Sequence, residues 1–275
     1  MASWLPFRSA YAAARRLGRL EYRVRRHEEP FLRPELIEGL ALDDGEVERS
    51  SRLSCELSAC QDLEYCLYTR SRGRNMERLI ELRGLEHLEQ ALESGRGAIL
   101  YSGHVRGDFT LFAALAARGF TVNVIGFRPD CCLRAARLSF CRRCAKRLEE
   151  RLGLRFLWME PEGFGVAARA ANALRRNEIV TMEVDTPYAK REVAEVAFFG
   201  RPTIFAAGHA VISELTGAPL LDFFVHRAEG WFPQIGEIGP PFTVALGGRQ
   251  AAVQETAARL EAHARRHPAQ LYWNA

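Results

Sequence analysis

From residue 98 onward, short β-rich runs alternate with stretches of helical periodicity, and this alternation constrains the fold more than any other feature of the chain. The runs are Ala98–Ser102, Thr121–Phe127, Leu154–Trp158, Ile179–Val184 and Leu220–Val225. Helical patterns lie between them at Phe109–Arg118, Leu133–Leu152, Gly165–Arg176 and Ile204–Thr216. Strands that alternate with helices form crossover units, so the expectation is an α/β fold with a largely parallel central sheet flanked by helices on both faces. Val193–Phe199, followed by Gly200, reads as a further strand or an edge hairpin, and Phe232–Ile238 reads as an extension of the sheet. Residues 35–94 read as helices up to Gly95-Arg-Gly97, and Gln250–His267 reads as a last helix ended by Pro268. With 275 residues, 48% of them apolar, the chain can bury one large core. No repeat, low-complexity tract or linker divides it, so the expected organisation is a basic arm over residues 1–30 and a single domain over residues 31–275.

Charge is unevenly spread. Arg8, Arg15, Arg16, Arg19, Arg23, Arg25 and Arg26 stand against Glu21 alone in residues 1–27, while the rest of the chain is close to neutral. A basic surface is therefore confined to the arm, which argues against nucleic-acid binding by the main body. Within the arm, Trp4, Phe7, Tyr11, Ala14, Leu17, Leu20 and Val24 recur at steps of three and four, the pattern of an amphipathic basic helix. Such a helix can lie in an anionic membrane interface, pack its stripe on the protein body, or serve as a transit peptide. Lys146 and Lys190 are the only lysines; this arginine bias reflects composition, and arginine also suits bidentate phosphate contacts.

Seven cysteines, an odd number without a secretory signal, point to reduced thiols in a reducing compartment. Cys131, Cys132, Cys141 and Cys144 could be read as zinc ligands, but they fall in an Arg-rich helical stretch without the turn glycines of a zinc knuckle, so no metal is expected. No apolar stretch approaches the ~20 residues of a membrane span. The expected location is the cytoplasm, soluble or peripheral on the inner face of the cell membrane, and not secreted.

Chemistry concentrates at the ends of the expected strands. Ile99-Leu100-Tyr101-Ser102-Gly103-His104-Val105-Arg106-Gly107-Asp108 places an imidazole where an apolar run ends, with a carboxylate four positions on. That is the arrangement of a general base with an orienting acid, at the sheet edge where open α/β folds bind ligands. Three more segments fall at strand ends or the turns after them: Phe127-Arg128-Pro129, Glu183-Val-Asp185-Thr-Pro187 and Phe198-Phe-Gly200-Arg201-Pro202. In a parallel sheet the first two join His104 on one edge. A Gly-x-Ser-x-Gly elbow, a phosphate loop ending Gly-Lys-Ser/Thr and a His-Glu-x-x-His motif are all absent.

The order Gly-x-Gly-Ala-Ile-Leu-x-Ser-Gly-His104, Phe-Arg128-Pro, Asp185-Thr-Pro, Val196-Ala-Phe-Phe-Gly200 and Gly208-His-Ala-Val-Ile-Ser-Glu-Leu-Thr-Gly217-Ala-Pro219 resembles the late acyltransferases of lipid A biosynthesis. Pro268-Ala-Gln270-Leu-Tyr-Trp273 is similar to that family's closing Pro-x-Gln-x-x-Trp pattern, so the resemblance runs from about Leu36 to Trp273. It implies a glycerol-phosphate-acyltransferase-like fold and a membrane-associated enzyme. It also implies transfer of a fatty acyl group from an acyl carrier protein or coenzyme A thioester to a hydroxyl or amine of a lipid-like acceptor. No cofactor is implied beyond that thioester co-substrate. Carried over, His104 is the base, Asp108 its orienting acid, and Arg128, Arg106 and Arg201 bind phosphate groups. Glu183 and Asp185 join the substrate site.

Two departures qualify the resemblance. The family places four residues between the His and the acid, whereas Asp108 follows His104 after three. Either Asp108 is the acid at i+4, on one face of a helix that begins near His104, or Arg106 is an insertion. In the second case Thr110 takes the acid's place, and the orienting carboxylate is either missing or supplied by Glu183 or Asp185. The first is the preferred expectation. The second departure is the amino terminus, where an arginine-rich arm stands in place of the family's apolar anchor. It admits an acyltransferase of specialised metabolism with a soluble or carrier-bound acceptor, or a lipid- or carrier-binding relative with impaired catalysis.

Overall fold

The structure, a computed structural model, describes residues 7–25, 32, 34–68, 78–127, 146, 149–159, 164–185, 192–227 and 233–271. Three helices come first: α1 (Phe7–Arg25), α2 (Pro34–Gly39) and α3 (Asp44–Tyr68). They are followed by β1 (Ile80–Arg83), α4 (Leu85–Glu93), β2 (Ala98–Ser102), α5 (Asp108–Ala117), β3 (Val122–Phe127), β4 (Arg155–Met159), α6 (Phe164–Arg175) and β5 (Ile179–Glu183). The chain then forms β6 (Val193–Phe198), β7 (Arg201–Ala206), α7 (Gly208–Thr216), β8 (Leu220–Arg227), β9 (Gln234–Ile238) and α8 (Arg249–Arg266).

The expected α/β architecture is present. A seven-stranded sheet runs in the order β1-β9-β8-β2-β5-β3-β4, parallel at every pairing but the antiparallel β8–β9. All five residues of β2 are buried, as a central strand covered on both faces must be. Tyr101, Leu111, Val180, Leu221 and Leu260 belong to one apolar cluster that reaches from Tyr11 to Leu271. Helices therefore complete the core that the strands begin.

Three elements differ from the sequence reading. β1 lies inside the stretch read as helical: four residues carry no resolvable period, and its partner β9 lies far along the chain, pairing Ile80 with Gln234. Residues 204–206, read as the start of a helix, end β7, because pairing with β6 holds them extended and the helix starts only at Gly208. The β6–β7 hairpin turns on Phe199 and Gly200, both at positive φ (51° and 73°), the conformation of a tight two-residue hairpin turn. Helix α5, finally, begins at Asp108 rather than near His104.

The stripe on α1 is divided. Ala10, Tyr11 and Ala14 are buried against α3, and at Gly18 an added Cβ would stand 2.5 Å from the carbonyl oxygen of Cys55, so the helices approach closely there. Leu17, Leu20 and Val24 remain 65%, 56% and 67% exposed. No helix among the described residues is long and apolar enough to cross a membrane. Cys55 and Cys60 are buried free thiols; Cys131, Cys132, Cys141, Cys144 and most of the expected helix at 133–152 lie outside the described residues.

Candidate active site

Strand pairing builds the site. Parallel β2 and β5 set Ser102 opposite Glu183, and the N–H of Val184 donates to the Ser102 carbonyl at 2.9 Å. Side chains two apart along a strand share a face, so Glu183 and Asp185 come out on one side, level with His104. The Asp185 carboxylate accepts twice from that histidine through Oδ1, from the backbone N–H at 2.9 Å and from ring Nδ1 at 2.7 Å. Glu183 Oε2 lies 2.8 Å from the other ring nitrogen, Nε2. Gly103 permits the approach, since a Cβ there would stand 2.9 Å from the Leu260 side chain and 3.0 Å from Asp185 Oδ2.

Asp108 takes a different place. Helical i,i+4 geometry needs a continuous helix, and residues 104–107 instead form a loop that ends at Gly107 with φ +93°. The Asp108 carboxylate accepts the N–H of Phe109 at 2.8 Å within the first turn of α5. The orienting acid of the preferred reading is thus replaced in the geometry by Asp185, the carboxylate of the alternative one. Burial, and then the negative charge of Glu183, push the Asp108 carboxyl up to about 8, against the pull of the Phe109 N–H and of His104. Burial alone would lower the His104 imidazole, but the charge of Glu183 and the hydrogen bonds that the ring donates to Asp185 and Glu183 outweigh it and hold the group up at about 11.

The other expected residues scatter. Arg106 reaches helix α3, with Nη2 donating to Ser54 Oγ at 3.2 Å and Nη1 to Gln61 Oε1 at 3.5 Å. Arg201 sits on the β6–β7 hairpin, away from the strand ends of the main sheet, and pairs with Glu38 of α2. Arg128 lies outside the described residues. No group of three or more His, Cys, Asp or Glu suited to a metal occurs among the described residues.

Beneath the His104 loop lies a buried polar network that sequence reasoning missed. Glu64 Oε1 accepts from Tyr11 Oη at 2.8 Å, pairs with Arg227 Nη2 at 2.7 Å, and accepts from Gln234 Nε2. Gln234 Nε2 also donates to Thr110 Oγ1 at 3.0 Å, and a Cβ at Gly107 would stand 2.3 Å from Gln234 Oε1. The network thus braces the loop from below. Its members come from α1, α3, α5, β8 and β9, so no local spacing announces it.

A histidine and two carboxylates at the carboxyl ends of paired parallel strands can accept a proton from a substrate and return it. The profile of the bacterial lipid A biosynthesis acyltransferases matches residues 67–274. The chain belongs to that family. No curated protein matches it. As an acyltransferase, it carries its matched region from the end of α3 to beyond the last described residue, so the whole sheet and both site strands lie inside the match, while α1 and α2 precede it.

Proposed function

We propose that this acyltransferase moves a fatty acyl group from an acyl carrier protein or coenzyme A thioester to a hydroxyl or amine of a lipid A-like acceptor, with His104 as general base and Asp185 as the residue that orients it. The observation that carries this reading is the fixed Nδ1 contact. Asp185 holds Nδ1–H, which directs Nε2 to the side bounded by the partly exposed Glu183. When Nε2 is unprotonated it takes the acceptor proton as the acceptor oxygen attacks the thioester carbonyl. The carbon–sulfur bond then breaks, and the departing thiolate takes the proton back from the imidazolium. General-base assistance of this kind contributes ~10²–10⁴ in rate, with backbone amides around Gly107 as the candidates for stabilising the oxyanion. Arg128 completes the reading as a phosphate contact, while Arg106 and Arg201 serve mainly to join the loop and hairpin to the amino-terminal helices.

The exposed Leu17, Leu20 and Val24, with Arg16 and Arg23 among them on α1, support peripheral contact with an anionic membrane. That contact would bring the domain of residues 31–275 to a lipid acceptor. Acyl transfer from both thioester donors, measured for wild type, His104→Ala and Asp185→Asn, tests the proposal. Loss of transfer in both variants is expected; full transfer by His104→Ala overturns it.

A further inference from the structure

We infer that the segment after α8, Pro268–Leu271, positions the catalytic base: it holds the backbone of the His104 loop and is itself held by the stack of His267 on His226, which makes His267 a positioning residue for acyl transfer. The inference rests on His104 acting as the base.

Residues 103–107 belong neither to β2 nor to α5, so their backbone groups must find partners outside those elements. Asp185 takes the N–H of His104. The next support comes from beyond α8. The Arg106 N–H donates to the Gln270 carbonyl at 3.1 Å, and Val105 forms an antiparallel bridge with Leu271. Val105, Gln270 and Leu271 are all buried, so water does not readily replace what the segment supplies. Without it, the two residues that follow His104 lose their backbone support. A displacement of about 1 Å at a reacting group costs on the order of 10²-fold in rate.

The segment has anchors of its own. Helix α8 stops at Arg266, where His267 leaves helical geometry (φ −139°, ψ 61°), and Pro268 opens a single 3₁₀ turn that ends at Gln270. That turn packs against α3. At its start the His267 ring lies on the His226 ring of β8, with centroids 4.4 Å and planes 15° apart. The His267 ring makes no hydrogen bond among the described residues, so it acts through its face. The strand beneath it is fixed, because the next residue, Arg227, points to the opposite face of β8 and pairs with Glu64. Gln270 follows His267 by three positions, so release of the ring is felt at the Arg106 N–H.

The test uses the full chain and two readouts: acyl transfer from both thioester donors, and backbone hydrogen exchange of peptides covering residues 103–107, which needs no substrate. His267→Ala should lower kcat by about tenfold or more with little change in KM, since it misplaces the base and leaves the binding groups. Exchange at residues 103–107 should quicken by about tenfold or more, while β5 and β8 exchange as in wild type. His267→Phe keeps a ring on His226 and should restore both readouts. His226→Ala removes the same stack from the strand side and should repeat both losses, which covers a failure of His267→Ala to fold. Wild-type kcat in both alanine variants overturns the inference, as does loop exchange that rises only in step with β5 and β8. His104→Ala separates the two ideas: if it is inactive while His267→Ala and His226→Ala keep wild-type kcat, only the positioning role fails.

Discussion

Asp185 accepts two bonds from a single residue, and this fixes both the backbone position and the tautomer of His104. Asp185→Asn keeps the shape but not the charge, and should reduce kcat by ~10²–10⁴ in an acyl-transfer assay, close to the effect of His104→Ala. Asp108→Asn tests the neighbouring carboxyl. The amide oxygen can still accept the Phe109 N–H, so transfer should remain within about tenfold of wild type. The folded pKa of Asp108 is raised to about 8, so its carboxyl penalises the folded state increasingly as pH rises from the ordinary carboxylate range through 8. Asp108→Asn should therefore gain stability relative to wild type above pH 8, read from urea midpoints at pH 6 and 9. His104, raised to about 11, has the opposite sign to that penalty at neutral pH. It contributes stability fully below its ordinary value near 6.5 and loses it as pH climbs through 11.

Among the elements, α1 divides its surface between two tasks. Tyr11 joins Glu64 and stacks beneath the Arg227 guanidinium at 5.2 Å, so one face of the helix reaches the network under the active-site loop. Breaking that network should be costly. Arg227→Met leaves Glu64 buried without its cation and should destabilise the protein by about 3–5 kcal/mol, while adding Glu64→Leu should recover much of the loss. Chemical denaturation of the two variants checks this. The exposed carboxyl-terminal part of the stripe predicts the reverse pattern. Replacing Leu17, Leu20 and Val24 with serine should leave stability nearly unchanged, within about 0.5 kcal/mol per site, and should weaken binding to anionic vesicles in a flotation assay. The periodicity of this stripe is plain in the sequence. Which part of it would be covered is not, because that depends on where α3 ends up.

At the scale of the molecule, β8 and α8 enclose three histidines outside the site. His226 stacks on His267 with ring centroids 4.4 Å apart, and His263 stacks on Phe224 at 4.1 Å. Neither ring nitrogen of His263 has a hydrogen-bond partner among the described residues. Burial, then His267, Arg266 and His226, push its pKa far down; burial and the same neighbours lower His267 to about 4, with Glu237 opposing. An unfolded chain protonates these rings near pH 6.5 and the folded chain does so only at lower pH. Their stabilising effect is therefore complete above pH 6.5 and lost as pH falls from there toward 4. His263→Phe should flatten this acid limb, seen as a smaller drop in urea midpoint between pH 7 and pH 5 than in wild type.

Much of this protein was legible without its structure because the information is local. Apolar runs and helical periods are set by neighbours within a few residues, so β2, β5, α8 and the alternation that makes the sheet parallel could be read directly, and the strand-end rule brought His104, Glu183 and Asp185 to one edge. The partner of His104 was another matter. Asp108 is near in sequence, but a loop with Gly107 at positive φ separates it from helical register, whereas Asp185 lies 81 positions away and is carried to the ring by strand pairing. The same holds for β1 against β9 and for Glu64 with Arg227. Sequence determined which residue types stand at the strand ends and how each segment folds; the tertiary structure decided which carboxylate meets which nitrogen, because contacts at 3 Å are fixed by strand register and helix packing rather than by spacing along the chain.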